Sequence, residues 1–410
     1  MARRSARAWP TPVARASWRC SPRGTARRRS AMCTARCSPA FRPRHKDAAV
    51  ANRRRTVFIN GRFLTQPISG VQRYAGEIVA QLDARVGAGR AATGYVLLCP
   101  SGARDAGLSH IEQRVVGRRG GHPWDQIDFA LAARRGVALC LAATGPVLLR
   151  RQVVVIHDAA VQRHPELFGR NYVRAHRAID ALLARRAQLA TVSDFSRREL
   201  AEVLHVAPER IIVARNGAEH LGLTPDASIV ARLGLTDTPF FLVLGNITRN
   251  KNLALAIRAL AELQPTPARL VAVGRLEPSV FGSGELPPLG EGVLLAGRLD
   301  DAEVAGLMRA ARALVFPSLY EGFGIPPLEA MANDCPVLAS TAAAVVETCG
   351  DAADFFDPHD AAALAALMRT ALADDGTWRA RRIAAGRARL AAFSWTRSAD
   401  TLAEAAERMA

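Results

Sequence analysis

A chain of 410 residues has room for two ordinary domains, each with its own core. Hydrophobic residues make up 49% and charged residues 22%, the composition of a globular protein rather than a disordered one. The net charge of +18 points to a nucleic-acid partner only until its distribution is read: residues 1–55 carry +15 and the rest only +3.

Residues 1–55 are rich in Arg, Ala, Ser and Pro, with almost no periodic apolar positions. They cannot bury enough surface to offset chain entropy and are expected to be disordered. A transit peptide has the same Arg- and Ser-rich look, a basic arm would bind phosphate backbones, and a start codon set too far upstream would leave the segment unmade. The near-neutral remainder argues against a nucleic-acid partner. Of the seven cysteines, Cys99, Cys140, Cys335 and Cys349 fall mainly in apolar runs, and no C-x-x-C pair suggests zinc or redox work. A reducing cytoplasm fits. The run from Val137 to Leu149 holds Gly145-Pro146 and is too short to span a bilayer.

From Thr56 onward short β-branched runs alternate with longer helical stretches, which predicts parallel sheets built from βαβ units. Strands are expected at Val57 to Ile59, Tyr95 to Leu98, Val153 to Ile156, Ala190 to Val192 and Ile211 to Val213, with a helix over about Val71 to Leu82. A polar stretch from Leu221 to Pro239 reads as a linker. A second series starts at Phe240 to Leu244, followed by Leu253, Ile257, Leu260 and Leu263 at helical spacing. Further strands are expected at Leu270 to Val273, Val293 to Ala296, Ala313 to Phe316 and Pro336 to Leu338, with helix at the end of the chain. Two similar halves suggest an α/β protein with paired Rossmann-like domains at 56–222 and 236–380. Residues 381–410 are expected to pack back on the first. Ligands in such sheets bind at the carboxyl ends of strands, so those loops matter most.

One such loop reads Pro317-Ser318-Leu319-Tyr320-Glu321-Gly322-Phe323-Gly324-Ile325-Pro326-Pro327-Leu328-Glu329. Gly322 and Gly324 allow close backbone approach, the prolines suit a first helical turn, and free N–H groups there suit a phosphate or sugar oxygen. Glu321 and Glu329 can grip two polyol portions of one ligand, or serve as a loop surface acid and a first-turn acid. A second loop, Gly245-Asn246-Ile247-Thr248-Arg249-Asn250-Lys251-Asn252, places cations at a helix start and suits a diphosphate. Lys46 and Lys251 are the only lysines among 55 basic residues, so the body reserves its one lysine for this loop. In the first half, His157-Asp158 leaves a strand end, where a histidine can orient a hydroxyl, carry a proton or simply support the fold. Ser69-Gly70-Val71-Gln72-Arg73 forms a glycine turn at a helix start, with Arg73 equally readable as a surface charge. Ser193 or Asp194 is expected to cap a helix. Trp124 is either a sugar-stacking ring or a packing anchor. Arg170, Arg174 and Arg177 form a basic stripe that is either a solvated face or a contact for anionic lipid.

The Glu321–Glu329 stretch closely resembles the E-x7-E signature of the family-4 glycosyltransferases, whose fold is GT-B: two Rossmann-like domains facing a central cleft. The resemblance runs from about Thr56 to Trp395. It implies that Glu321 meets the donor sugar, Glu329 the nucleotide ribose, and the backbone of Phe323, Gly324 and Ile325 the sugar and diphosphate. The loop at Gly245 is similar to the family's phosphate loop, making Lys251 the phosphate ligand. Asn246 stands where many members have arginine or a small residue, and Arg249 is a candidate for the missing charge. By the same resemblance His157 lies beside the donor sugar and Gly70 faces the diphosphate.

The expected activity is therefore a retaining hexosyl transfer from a nucleotide diphosphate sugar, with GDP-mannose favoured, to a glycan or lipid-linked acceptor in polysaccharide assembly. No cofactor is expected, and the lack of any Asp-x-Asp predicts no metal. The expected location is cytoplasmic, with peripheral contact at the inner face of the plasma membrane as an option. An epimerase or phosphorylase on the same fold, and a sugar-nucleotide-binding subunit without turnover, stand as alternatives.

Overall fold

The computed structural model describes residues 55–219, 224–245, 248–263, 265, 267–275, 290 and 292–410. The basic segment expected to be disordered lies outside them except for Arg55, as do Asn246 and part of the expected linker.

Two parallel sheets organise the described chain. The first contains β1 (Val57–Asn60), β2 (Tyr95–Cys99), β3 (Glu112–Val115), β4 (Val137–Cys140), β5 (Gln152–Val155), β6 (Gln188–Thr191) and β7 (Ile211–Val213), in the order β3-β2-β1-β4-β5-β6-β7. The second contains β8 (Phe240–Leu244), β9 (Arg269–Val273), β10 (Val293–Gly297), β11 (Ala313–Phe316), β12 (Val337–Ser340) and β13 (Ala353–Phe356), in the order β10-β9-β8-β11-β12-β13. Both are doubly wound, and in each the strand order reverses once: between β1 and β4, and between β8 and β11. At such a switch point the loops leaving neighbouring strands diverge and open a crevice at their carboxyl ends. The central strands β4, β5, β11 and β12 are buried along their whole length, as sheets covered on both faces require.

The helix expected over Val71 to Leu82 runs from Gly70 to Gly87, burying Tyr74, Ile78, Val79 and Leu82. The stretch read as a linker contains a short helix, Ser228–Arg232, anchored by buried Ile229. Leu263 lies beyond the end of its expected helix, which spans Leu253–Ala261, yet is buried all the same. The last helix, Trp395–Glu407, returns to the first sheet. Trp395 is fully buried with its ring 5.7 Å from that of Tyr74, and Glu407 accepts a hydrogen bond from the Tyr95 hydroxyl at 2.8 Å. Cys99, Cys140, Cys335 and Cys349 are all buried and free.

Candidate active site

The crevice between β8 and β11 brings together the two loops singled out in the sequence. Three successive residues of the β8 loop bond to the β11 loop. Asn250 accepts from the Leu319 N–H at 2.8 Å, and Asn252, left-handed at φ 53°, donates to the carbonyls of Pro317 and Pro358 at 3.2 and 2.7 Å. Between them the Lys251 ammonium meets Glu321 at 2.5 Å and lies 5.2 Å from the centre of the Phe316 ring. The asparagines thus fix the loop that carries the charge pair. Arg249 is exposed in a single 3-10 turn, Arg249–Lys251.

Beyond Glu321 the chain turns sharply. Gly324 has φ 99°, a conformation that only glycine adopts without strain, and starts the helix Ile325–Ala332 with prolines in its first turn. Phe323 is buried, its ring edge-on to Phe393 at 5.6 Å and its carbonyl bonded to the Thr348 hydroxyl at 2.6 Å. Its side chain and carbonyl therefore serve packing, leaving only its N–H for the ligand role implied by the resemblance. Glu329 projects from the new helix.

The first half meets this loop edge to edge. A Cβ on Gly322 would stand 2.6 Å from the His157 carbonyl oxygen and 2.8 Å from the Asp158 Cβ, so glycine is required by close approach. Ser193 and Ser196 both donate to the Gly322 carbonyl, at 2.6 and 2.9 Å. Ser193 also caps the helix Asp194–Leu204, and the amides of Asp194 and Phe195 are held by Glu347 of the second half at 2.8 and 2.7 Å. Gly70, at the start of its helix, lies 3.5 Å (measured from an added Cβ) from Ile325. Arg73 crosses the cleft to bond Asp301 at 3.0 and 2.6 Å and approaches Glu329 at 3.8 Å. It is a bridge and not a surface charge. Burial works to lower its pKa, but the bond to Asp301 and the charges of Glu329, Asp301 and Glu77 raise it overall.

His157 donates from Nε2 to the Leu141 carbonyl at 2.9 Å, with its ring 4.9 Å from Tyr74. That bond places the proton on Nε2, leaving Nδ1 as an acceptor. Burial pushes the imidazole down to about 4, the Leu141 bond opposing it, so the ring is neutral at physiological pH. Asp158, next to it at the same strand end, is a site residue to which the sequence alone assigns no role. Its Oδ1 accepts the Ala160 N–H at 2.8 Å. Burial raises its pKa above the usual carboxylate range; the Ala160 bond opposes that, Glu321 adds to it, and Lys251 and His164 oppose it further. The signal for it was the strand-end position, which serves Asp158 as well as His157. Trp124 is the packing anchor of its two readings: it is fully buried and bonds the Val116 carbonyl at 2.8 Å.

Comparison with known proteins gives the family and the fold. The family model for group 1 glycosyl transferases matches residues 227–389, the segment that contains Lys251, Glu321 and Glu329. Over 262 residues the chain is 30% identical to the O-antigen chain mannosyltransferase B of Escherichia coli, spanning 61% of this chain and 68% of that protein. The chain belongs to the group 1 glycosyl transferases. The serotype-specific mannosyltransferase WbdA of Escherichia coli is 30% identical over 233 residues, but the match covers only 28% of WbdA. Among solved structures, Anabaena HepE in complex with UDP-glucose superposes with a TM-score of 0.65 at 18% identity, covering 85% of this chain and 98% of HepE. At that identity the likeness carries the fold alone: GT-B. Among the described residues of this group 1 transferase, no helix is long and apolar enough to cross a membrane.

Proposed function

We infer that this transferase is of the family-4, retaining kind and moves mannose from GDP-mannose to a glycan or lipid-linked acceptor in polysaccharide assembly. The observation that carries the reading is the Lys251–Glu321 pair, held at the switch point of the second sheet and pressed through Gly322 against His157-Asp158 of the first. A donor entering there puts its diphosphate beside Lys251 and the start of the Ile325–Ala332 helix. Lys251 exchanges Glu321 for phosphate, and Glu321 is released to the sugar hydroxyls. Gly70, Gly324 and Ile325 line the diphosphate by backbone, Glu329 takes the ribose, and Arg249 with Asn246 completes the loop.

His157 accepts a sugar hydroxyl at Nδ1 instead of carrying a proton, since it is neutral across the working range. With no strong base needed, the departing phosphate oxygen takes the acceptor's proton as the new bond forms on the same face. The protein orients the reactants and stabilises the leaving charge without a metal ion. The mannosyltransferase relatives favour mannose as the sugar moved, and the UDP-glucose bound by HepE keeps UDP-sugars as the comparison donor. A lipid-linked acceptor would bring the exposed Arg170, Arg174 and Arg177 to an anionic surface. The test is GDP release from GDP-mannose with a mannoside acceptor, with the product anomer read by NMR. An α-linked product from the α-linked donor is expected. A β-linked product rejects retention, and acceptor-independent epimerisation rejects transfer.

A further inference from the structure

Two arginines cross between the halves in opposite directions at one place, the loop that leads into the helix Gly70–Gly87. Arg73, in the first turn of that helix, reaches out to the second half, and Arg298 of the second half reaches back to the Ile68 carbonyl at 3.4 Å. Within the loop Ser69 bonds to Gln72, and Gln72 donates to Gln66 at 2.8 Å. Gly70 faces Ile325, the first residue of the helix that carries Glu329. The loop therefore lies tied down against the start of that helix.

The guanidinium of Arg73 lies between two carboxylates that hold it differently. Asp301 takes both terminal nitrogens, at 3.0 and 2.6 Å, the fork that fixes a guanidinium in orientation. The acids near Asp301 have other work in its helix, Asp301–Ala310. Asp300 accepts the Glu303 N–H at 2.9 Å, while Glu303 accepts the Asp300 N–H at 2.8 Å and meets Arg232 at 2.7 Å. Asp301 plays no part in that cap and turns to Arg73 instead. Glu329 meets Arg73 Nε at 3.8 Å, too far for a hydrogen bond but well within reach of its charge. The side chains of Arg73 and Glu329 are 17% and 12% exposed, that of Asp301 43%. An outer acid thus anchors the arginine, and the arginine lays its Nε edge beside an inner one.

We propose that Arg73 is a positioning residue for donor recognition: clamped by Asp301, it fixes the Glu329 carboxylate in the orientation that accepts the two ribose hydroxyls. The proposal rests on the ribose role given to Glu329 above. A glutamate side chain rotates among several orientations, and few of them present its oxygens to a vicinal diol. A cation fixed beside the carboxylate selects among them before the nucleotide arrives. Arg73 can do this because Asp301 denies it the same freedom. The acid that reads the ribose belongs to the second half, and the residue that aims it belongs to the first. Preference for ribose is then a property of the assembled cleft.

The test is isothermal titration of GDP and UDP, each against its 2′,3′-dideoxy counterpart, on the full chain and on Arg73→Met, Arg73→Lys and Asp301→Ala. The readout is the ratio of the two affinities, because loss of a mere support for the fold would weaken both nucleotides alike. Arg73→Met should weaken the ribonucleotide roughly tenfold and the dideoxynucleotide by about twofold at most. Arg73→Lys keeps the charge without the fork and should recover part of the ratio. Asp301→Ala, at a more exposed position, should lower the ratio in the same direction, and it decides the matter if Arg73→Met does not fold. A ratio as high as the parent's in both variants overturns the proposal, and so do equal losses of the two nucleotides. A parent that binds neither ribonucleotide, or binds it no better than the dideoxy form, rejects the ribose role of Glu329 and this proposal with it. A parent that prefers ribose, with variants that keep the preference, rejects the role of Arg73 alone.

Discussion

The two sheets share one strand order and present two unlike crevices. In the second, the charge pair Lys251–Glu321 sits on short loops, 23% and 13% exposed, where a ligand can separate it. In the first, Arg62–Asp125 is sealed, at 10% and 0%, and cross-bonded to Asn60 and Thr144. The same topology thus supplies a partly exposed pair, which the proposed function trades for substrate, and a sealed pair that holds the loops together. What distinguishes them is how much water each has given up. A partly exposed pair contributes less to stability and is easier to open, whereas a fully buried pair leaves a stranded charge when one partner goes.

The largest expected effect follows from that difference. Arg62→Met should destabilise the fold by about 3–5 kcal/mol, because Asp125 is left buried and uncompensated. A urea melt reads this directly. A midpoint near that of the parent would mean that the floor of the first crevice opens to solvent, and the contrast between the crevices would fail.

Lys251→Ala should do the reverse: a stability change within about 1 kcal/mol, but GDP binding weaker by about 1.5–3 kcal/mol. Isothermal titration checks the second figure and the same urea melt the first. Strong destabilisation with unaltered GDP affinity would make the second pair as structural as the first.

Much of this was legible in the sequence where one short segment carries the whole signal. Apolar β-branched runs announced most strands, and Gly322, Gly324, Lys251 and the two glutamates stood within two loops. Three strands were not legible. Glu112–Val115 is a largely exposed edge strand with three polar residues out of four, so it lacks an apolar run. Val137–Cys140 was absorbed into a longer weakly polar stretch, and Ala353–Phe356 is short with an aspartate at its second position. The crevice of the first sheet was hidden for another reason. Asn60, Asp125 and Thr144 lie far apart in the chain, and only the β1–β4 pairing brings their loops together. Arg73 was ambiguous because its partners Asp301 and Glu329 belong to the other half of the chain.

A smaller effect tests burial in the first half by pH. Burial raises Asp180 to about 6 from 3.8, only partly offset by the Gln162 bond. Its ionised form is therefore disfavoured in the folded chain. The contribution of this group to stability is fully present below about pH 3.8 and is lost as pH rises through 6. Asp180→Asn removes the ionisation, so it should be more stable than the parent at pH 8 by on the order of 2 kcal/mol, the gap closing towards pH 4. His157 runs the other way: depressed to about 4, it contributes stability above 6.5 that is lost as pH falls through 4. Being common to both proteins, it cancels in the difference. Thermal melts at the two pH values decide the matter, and a gap that does not change with pH would mean that Asp180 is hydrated in the folded chain.

The smallest expected effect is none. A transferase that holds its leaving diphosphate with a divalent ion needs carboxylates free to ligate it, and in the second crevice Glu321 is instead the partner of a lysine. Lys251 and the start of the Ile325–Ala332 helix offer positive charge where the diphosphate would rest, and a fixed ammonium and helix end can replace the ion's electrostatic work. Transfer from GDP-mannose should therefore proceed at the same rate in excess EDTA, and added magnesium should not rescue Lys251→Ala. Activity abolished by EDTA and restored by magnesium or manganese would assign the neutralising role to an ion. The Lys251–Glu321 pair would then resemble Arg62–Asp125 in holding loops together, and the comparison between the crevices would lose its chemical half.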